Sequence, residues 1–217
     1  MNPALIELII LAGIAVFLFL RLRSVLGTRE GFEKPRMQPK NEEPTRDFKV
    51  IDGGEDKDIT DNVEKNSESA KALKTIKEKD ETFAVNEFLS GARSAYEWIL
   101  MSFEKNEIDE IRELLSEEVA EAFDSVVAQR ISQGLTIEAE FIGVREMKLV
   151  DASYNSKTNI AEIAVSFIGE MTSVVKNSSG KIVEGDSKQI KRQKDTWTFS
   201  KDITSSNPNW LLVATGE

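Results

Sequence analysis

Hydrophobic and polar positions divide the chain into four regimes. From Pro3 to Leu20 the sequence is apolar for 18 residues, broken only by Glu7. As a helix rising ~1.5 Å per residue, that run spans about 27 Å, close to the ~30 Å hydrocarbon thickness of a bilayer. Asn2 suits the N-cap and Pro3 the first helical position, and Glu7 lies one turn inside, at headgroup depth. A cleaved signal peptide is the competing reading. It requires a positive segment before the apolar run and a small-residue cleavage site after it. Here no Lys or Arg precedes the run, and Arg21, Leu22 and Arg23 follow it. The pattern therefore predicts an uncleaved transmembrane anchor over residues 1–23. Arg21, Arg23, Arg29, Lys34 and Arg36 on its C-terminal side place the remainder on the inner face, with the N-terminus outside. That face is cytoplasmic, or the matrix if the membrane is mitochondrial.

Over residues 24–68 the periodicity lapses. Gly27, Gly31, Pro35, Pro39, Pro44 and Gly53-Gly54 interrupt mixed charges, and Phe32, Phe48, Val50 and Ile51 are too sparse for a core. This composition predicts a disordered charged tether. Phe48-Lys-Val-Ile-Asp52 within it is either a short recognition segment or a chance apolar cluster. Over 69–80, Lys71, Lys74 and Lys77 recur every third residue beside Ala70, Leu73 and Ile76. As a helix this is a basic amphipathic lead-in that touches a membrane or partner. With only two large hydrophobes behind it, the alternative is a solvated approach to the next helix.

From 81 the pattern is that of a folded domain, 81–217. Phe88, Ala92, Ala95, Ile99 and Phe103 form one helical stripe, with small residues at 91, 92 and 95 that admit a close neighbour. Asn106 suits the N-cap of a short helix carrying Ile108, Ile111, Leu114 and Leu115. Ser116 suits that of another, carrying Val119, Phe123, Val126, Val127 and Ile131 and stopped by Gly134. After Gly134 the period falls to two. Ile137, Ala139 and Phe141 alternate with Thr136, Glu138 and Glu140, and similar runs cover 159–175, 186–200 and 210–214, with Asn177-Ser-Ser-Gly180 as a turn. About three helices followed by four antiparallel strands is an α+β domain with its helices on one sheet face. A fragment from about Asp80 is expected to fold alone.

Composition narrows the chemistry. The 217-residue chain carries net charge −10 with neither cysteine nor histidine. Thiol nucleophiles, thiolate metal sites, Ser-His-Asp catalysis and histidine-ligated metals are excluded, and the acidic balance argues against DNA as a partner. No cofactor is implied.

Certain residues carry a resemblance. Phe88-Leu-Ser-Gly-Ala-Arg-Ser-Ala-Tyr96, then Ile99, Phe103, Leu114-Leu115, Phe123 and Arg130, resemble the opening helices of the family of the tether subunit of the mitochondrial TIM presequence translocase. Asp195-Thr-Trp-Thr-Phe199 and Asn209-Trp-Leu-Leu212 resemble its closing strands. The match covers about residues 81–217, a Tim forty-four-like domain, and bacterial relatives share an anchor and charged linker. Ser200-Lys201 stand where the family pattern leads one to expect an arginine. The resemblance implies a cone-shaped sheet wrapped by helices, like nuclear transport factor two, with an apolar pocket. It further implies a membrane-anchored, non-enzymatic adaptor for a protein client or chaperone, or alternatively a ribosome- or lipid-binding module. A small-molecule enzyme using a buried carboxylate is the remaining alternative on this fold.

The candidate pocket residues are Leu114, Phe123, Val127, Phe141, Phe167, Trp197, Phe199 and Trp210, with plain core packing as the simpler reading of each. Glu138, Glu140, Glu162 and Glu170 read as outward-facing strand positions rather than catalytic acids. Candidate anionic-lipid or phosphate contacts are Arg21, Arg23, Lys71, Lys74, Lys77, Lys188, Lys191, Arg192 and Lys194; the first two also serve simply as topology signals. Glu104 to Asp124 holds nine acids against Lys105 and Arg112, a face suited to a basic partner or to solvent.

Overall fold

The computed structural model describes residues 56–216. The expected anchor, Arg21 and Arg23, the Phe48–Asp52 segment and the tether up to residue 55 lie outside the described residues. Among the described residues no helix is long and apolar enough to cross a membrane.

Alternation builds the sheet. Four strands, β1 (Thr136–Asn155), β2 (Ile160–Lys176), β3 (Ile182–Asp202) and β4 (Leu211–Gly216), form one antiparallel sheet in chain order. Along β2, Ala161, Ile163, Val165, Phe167 and Met171 are buried. Successive strand side chains point to opposite faces, so these five share the inner one. The register sets Leu149 and Trp197 beside Val165, and Phe199 beside Ile163, which continues that face across three strands. Glu138, Glu140 and Glu162 are exposed, as the alternation expects. At the open edge, Leu212 of β4 bridges to Leu115, and the Ser116 N–H donates to the Leu212 carbonyl at 2.9 Å.

The helices are α1 (Lys57–Thr60), α2 (Glu68–Lys79), α3 (Val85–Glu104), α4 (Ile108–Ile111) and α5 (Glu117–Ser132), with a 3-10 turn at Arg112–Leu114. The domain is α+β as expected, but its helical layer differs in three places. First, residues 56–68 are not tether: Ile59 is buried in the core. Second, the lead-in is a helix packed on the domain, its apolar face buried and Lys71 and Lys74 exposed on the other side. The Ser67 hydroxyl caps α2 by accepting from Ala70 N–H, and Leu73 and Ile76 are fully buried. Ser69 Oγ donates to Asp151 on β1 at 2.7 Å. Two large hydrophobes suffice because the sheet supplies the rest of the contact. Third, Asn106 caps no helix. It takes φ +63° after α3, where its own N–H reaches the Phe103 carbonyl and the Glu107 N–H reaches Ser102. That pairing is a Schellman stop, a role asparagine shares with glycine. Gly134 ends α5 in the same way, as the sequence predicts, with φ +65° and the Leu135 N–H on the Arg130 carbonyl. Ile131, expected on the apolar face of α5, is 63% exposed because it belongs to that last unwinding turn.

The long helix α3 is fixed at three points. Its N-cap position, Ala84, offers no side-chain acceptor. Asp58 supplies one from α1: its carboxylate accepts from Val85 N–H at 2.7 Å and Asn86 N–H at 2.9 Å, and pairs with Lys77. Burial pushes this carboxyl up, but Lys77 and the two N–H groups outweigh it and hold it below the usual range. The stability so gained is present above about pH 4 and is lost as pH falls through the lowered value. In mid-helix the Tyr96 hydroxyl donates to Asp195 of β3, and both residues are buried. Burial first, and then the carboxylate, raise the phenol so that it stays protonated. At the C-terminus Arg130 donates to the Phe103 carbonyl at 3.0 Å and lies over the Phe103 ring at 4.3 Å, the end of a helix that favours a cation.

A chain starting at Gly53 should therefore unfold in one cooperative transition by calorimetry, whereas one starting at Asp80 should not. The shorter fragment lacks Ile59, Leu73, Ile76 and the Asp58 cap. Burying an aliphatic side chain contributes about 2–5 kcal/mol, and domains are stable by only about 5–15 kcal/mol. A sharp, cooperative transition in the Asp80 fragment would restore the shorter domain boundary.

Candidate functional site

Small residues on α3 leave a groove beside it. Gly91, Ala92 and Ala95 present little side chain on the face turned toward the β3–β4 connection, and a Cβ placed on Gly91 would meet nothing within 4 Å. Glu87, Phe88 and these three form one wall; Leu114, Phe199, Pro208, Asn209 and Trp210 form the other, around a space of about 270 Å³. Its aromatic end is well braced. Phe88 meets Trp210 at 4.8 Å and Phe199 at 5.9 Å, both edge-on, and Phe83 backs Trp210 at 5.8 Å. Such tilted contacts hold large rings without filling the space between them. The groove is thus apolar, open at one side and rimmed by Glu87. Leu114 brings the acidic stretch of α4 and α5 to the same wall, with Glu110, Glu113 and Glu117 exposed nearby in the chain.

Of the eight pocket residues expected from sequence, Leu114, Phe199 and Trp210 line this groove. Val127, Phe167 and Trp197 are buried instead, so the packing reading holds for them. Phe123 packs on Phe103 at 4.5 Å, and Phe141 on Tyr96 at 6.1 Å. The signal for the remaining wall was present in the spacing of the small residues at 91, 92 and 95. Pro208 and Asn209 carried none, because a loop has no period.

The candidate cations separate. Lys71 is exposed and pairs with Glu68, and Lys74 is exposed. Lys77 is committed to Asp56 and Asp58 inside the domain. On β3, Lys191 shares a register position with Met171 and so lies on the helix side, whereas Arg192 and Lys194 lie opposite Glu170 and Ile168 on the outer side. Arg192 pairs with Glu170 at 2.8 Å. Lys188 falls in a register shift, where four residues of β3 from Ser187 to Ile190 stand against Thr172 alone. The four cations therefore surround the strand rather than sharing one face.

Filling the groove and emptying the core should be separable. Gly91→Leu places a side chain in open space on a helix, where leaving glycine is worth up to ~1 kcal/mol, so its melting temperature should hold or rise. Trp197→Ala should lose about 3–5 kcal/mol. Thermal melts of both variants check this, and a Gly91→Leu protein that melts well below the parent would mean that the groove is not open.

Comparison with known proteins identifies the family. Residues 69–217, more than half of the chain, match the Tim44-like domain, a span that includes α2 and starts twelve residues before the boundary expected from sequence. No curated protein matches the chain. Among solved structures, the crystal structure of the intermembrane space region of chloroplast protein ARC6 is similar at 10% identity and a TM-score of 0.38, covering 66% of this chain and 94% of that one. With aromatic strands, small-residue helix and match all falling in one span, the chain belongs to the Tim44-like domain family.

Proposed function

We propose that the chain is a non-enzymatic adaptor held at the inner face of a membrane, and that it receives a segment of a protein client or chaperone in the groove beside α3. The observation that carries this reading is the groove itself: an apolar slot, preformed by packed rings, with small residues along one wall and Glu87 at its rim. A segment that is partly apolar and partly basic fits it by burial and by charge. Membership of the Tim44-like family supports membrane association and a binding role.

The expected anchor and tether give the groove its setting. With the domain starting at Asp56, about 32 residues separate it from Arg23. A flexible chain of that length has an r.m.s. span of about 30 Å. The domain then samples the zone next to the membrane, where its effective concentration for an emerging chain is high. An enzyme acting on a soluble metabolite gains nothing from that arrangement.

Complementation of a deletion strain tests this. Removing Pro3–Leu20 should abolish function at native expression while the isolated protein still binds its partner, and Gly91→Leu should abolish function with the anchor intact. Full rescue by the anchorless protein would rule the adaptor reading out. Recovery of mainly ribosomal proteins with the detergent-solubilised chain would favour the ribosome-binding alternative instead.

A further inference from the structure

The face of the sheet turned away from the helices carries a row of matched residues. On the helix side Val165, Phe167 and Trp197 are buried. Strand residues alternate, so Ala164, Ser166 and Ile168 of β2 point the other way, with Thr198 and Thr196 of β3 beside the first two. All five are half-buried, and a shallow hollow of about 440 Å³ opens among them, walled by residues of β1, β2 and β3 alone. One row crosses it. Glu146 of β1 and Lys194 of β3 both stand opposite Ile168, so an acid, an aliphatic side chain and a base lie in line, about 10 Å from end to end.

We propose that this face binds a second copy of the chain about a two-fold axis running along β2. A face that pairs with its own copy must match itself, and the row does so in one direction only. An axis lying across the strands would set Glu146 on Glu146 and Lys194 on Lys194. An axis along β2 exchanges the ends of the row, so each Glu146 meets the partner's Lys194 and Ile168 meets Ile168 between the two pairs. Sheets packed with aligned strands lie ~10 Å apart, a gap that a lysine and a glutamate close from opposite sides. The short side chains at 164, 166, 196 and 198 permit that approach. In the flanking rows Lys148 falls over the partner's Thr196, while Arg145 and Arg192 arrive already held by Glu170 at 3.4 and 2.8 Å. Charge selects the occupant. With net charge −10 most of the surface repels a second copy, whereas on this row acid and base are set to meet base and acid. The contact is independent of the groove, which lies on the helix side, so a dimer would keep both grooves open to one client.

The chain has no cysteine, so a single introduced thiol reports alone. Full-length protein is purified in detergent and its mass measured by light scattering corrected for bound detergent. An Ile168→Cys variant is then treated with a short bis-maleimide, which joins only thiols close to the axis. Gly91→Cys, in open space on the helix side, is the reference. The expected result is a dimer at micromolar concentration, with cross-linking at 168 several-fold above that at 91. Glu146→Lys or Lys194→Glu, each added to Ile168→Cys, should lower that yield several-fold by setting like charges together. The two reversals combined should restore it, and circular dichroism confirms that each variant is folded. A monomeric parent, equal cross-linking at 168 and 91, a yield that ignores both single reversals, or a combined reversal that fails to restore it overturns the proposal. Shielding of the 168 thiol only on adding a membrane-protein fraction also overturns it, in favour of a different protein occupant.

Discussion

A phenol and a carboxylate buried together hold the long helix on the sheet, and the rest of the domain is arranged around them. Asp195 is 8% exposed and Tyr96 fully buried. The carboxylate accepts from the Tyr96 hydroxyl at 2.5 Å and from Gln193 Nε2 at 2.9 Å. A buried carboxylate deprived of its partner costs about 3–5 kcal/mol, so the pair penalises any other seating of α3. The sheet is shaped to match. Gly169 leaves room for the hydroxyl, since a Cβ there would stand 2.6 Å from it. Phe167 stacks on the Tyr96 ring at 4.4 Å and 10°, and Trp197 closes on it at 4.7 Å. Sliding the helix by one residue would turn Tyr96 by about 100° and break all of these at once.

That single register decides where the groove lies. With Tyr96 pointing at β3, the adjoining face of the helix presents Gly91, Ala92 and Ala95 to the β3–β4 connection, and the slot opens there. Asp58 and Arg130 then fix the two ends of α3 by charge on its dipole. Burial raises the carboxyl of Glu104, and Arg130 opposes that rise, so the C-terminal clamp is a half-buried ion pair. The groove is thus a consequence of a rigid helix whose neighbours are determined elsewhere.

Much of this was legible in the chain because it is periodic. Alternation at Ile137–Phe141 and 159–175 identified the sheet and its outward-facing glutamates. Ser116 and Gly134 marked the ends of α5. Phe88–Tyr96 and Asp195–Phe199, the two patterns that carry the family resemblance, prove to be the two halves of the central contact. What sequence missed was non-local. Asp58 caps a helix 27 residues away, inside a stretch whose composition reads as tether. Leu73 and Ile76 are sparse along the chain yet fully buried, since β1 completes their contact. The basic run on β3 reads as one cluster, but its alternation places the charges on both faces.

The central claim is that Tyr96 and Asp195 act as a coupled pair seating α3. A double-mutant cycle of Tyr96→Phe and Asp195→Asn, read by denaturant unfolding, measures that coupling directly. A charge-assisted hydrogen bond in a buried site predicts a coupling of about 1.5–3 kcal/mol. Losses that add to within ~0.5 kcal/mol would show that the two residues act independently, and that something other than their bond sets the helix register.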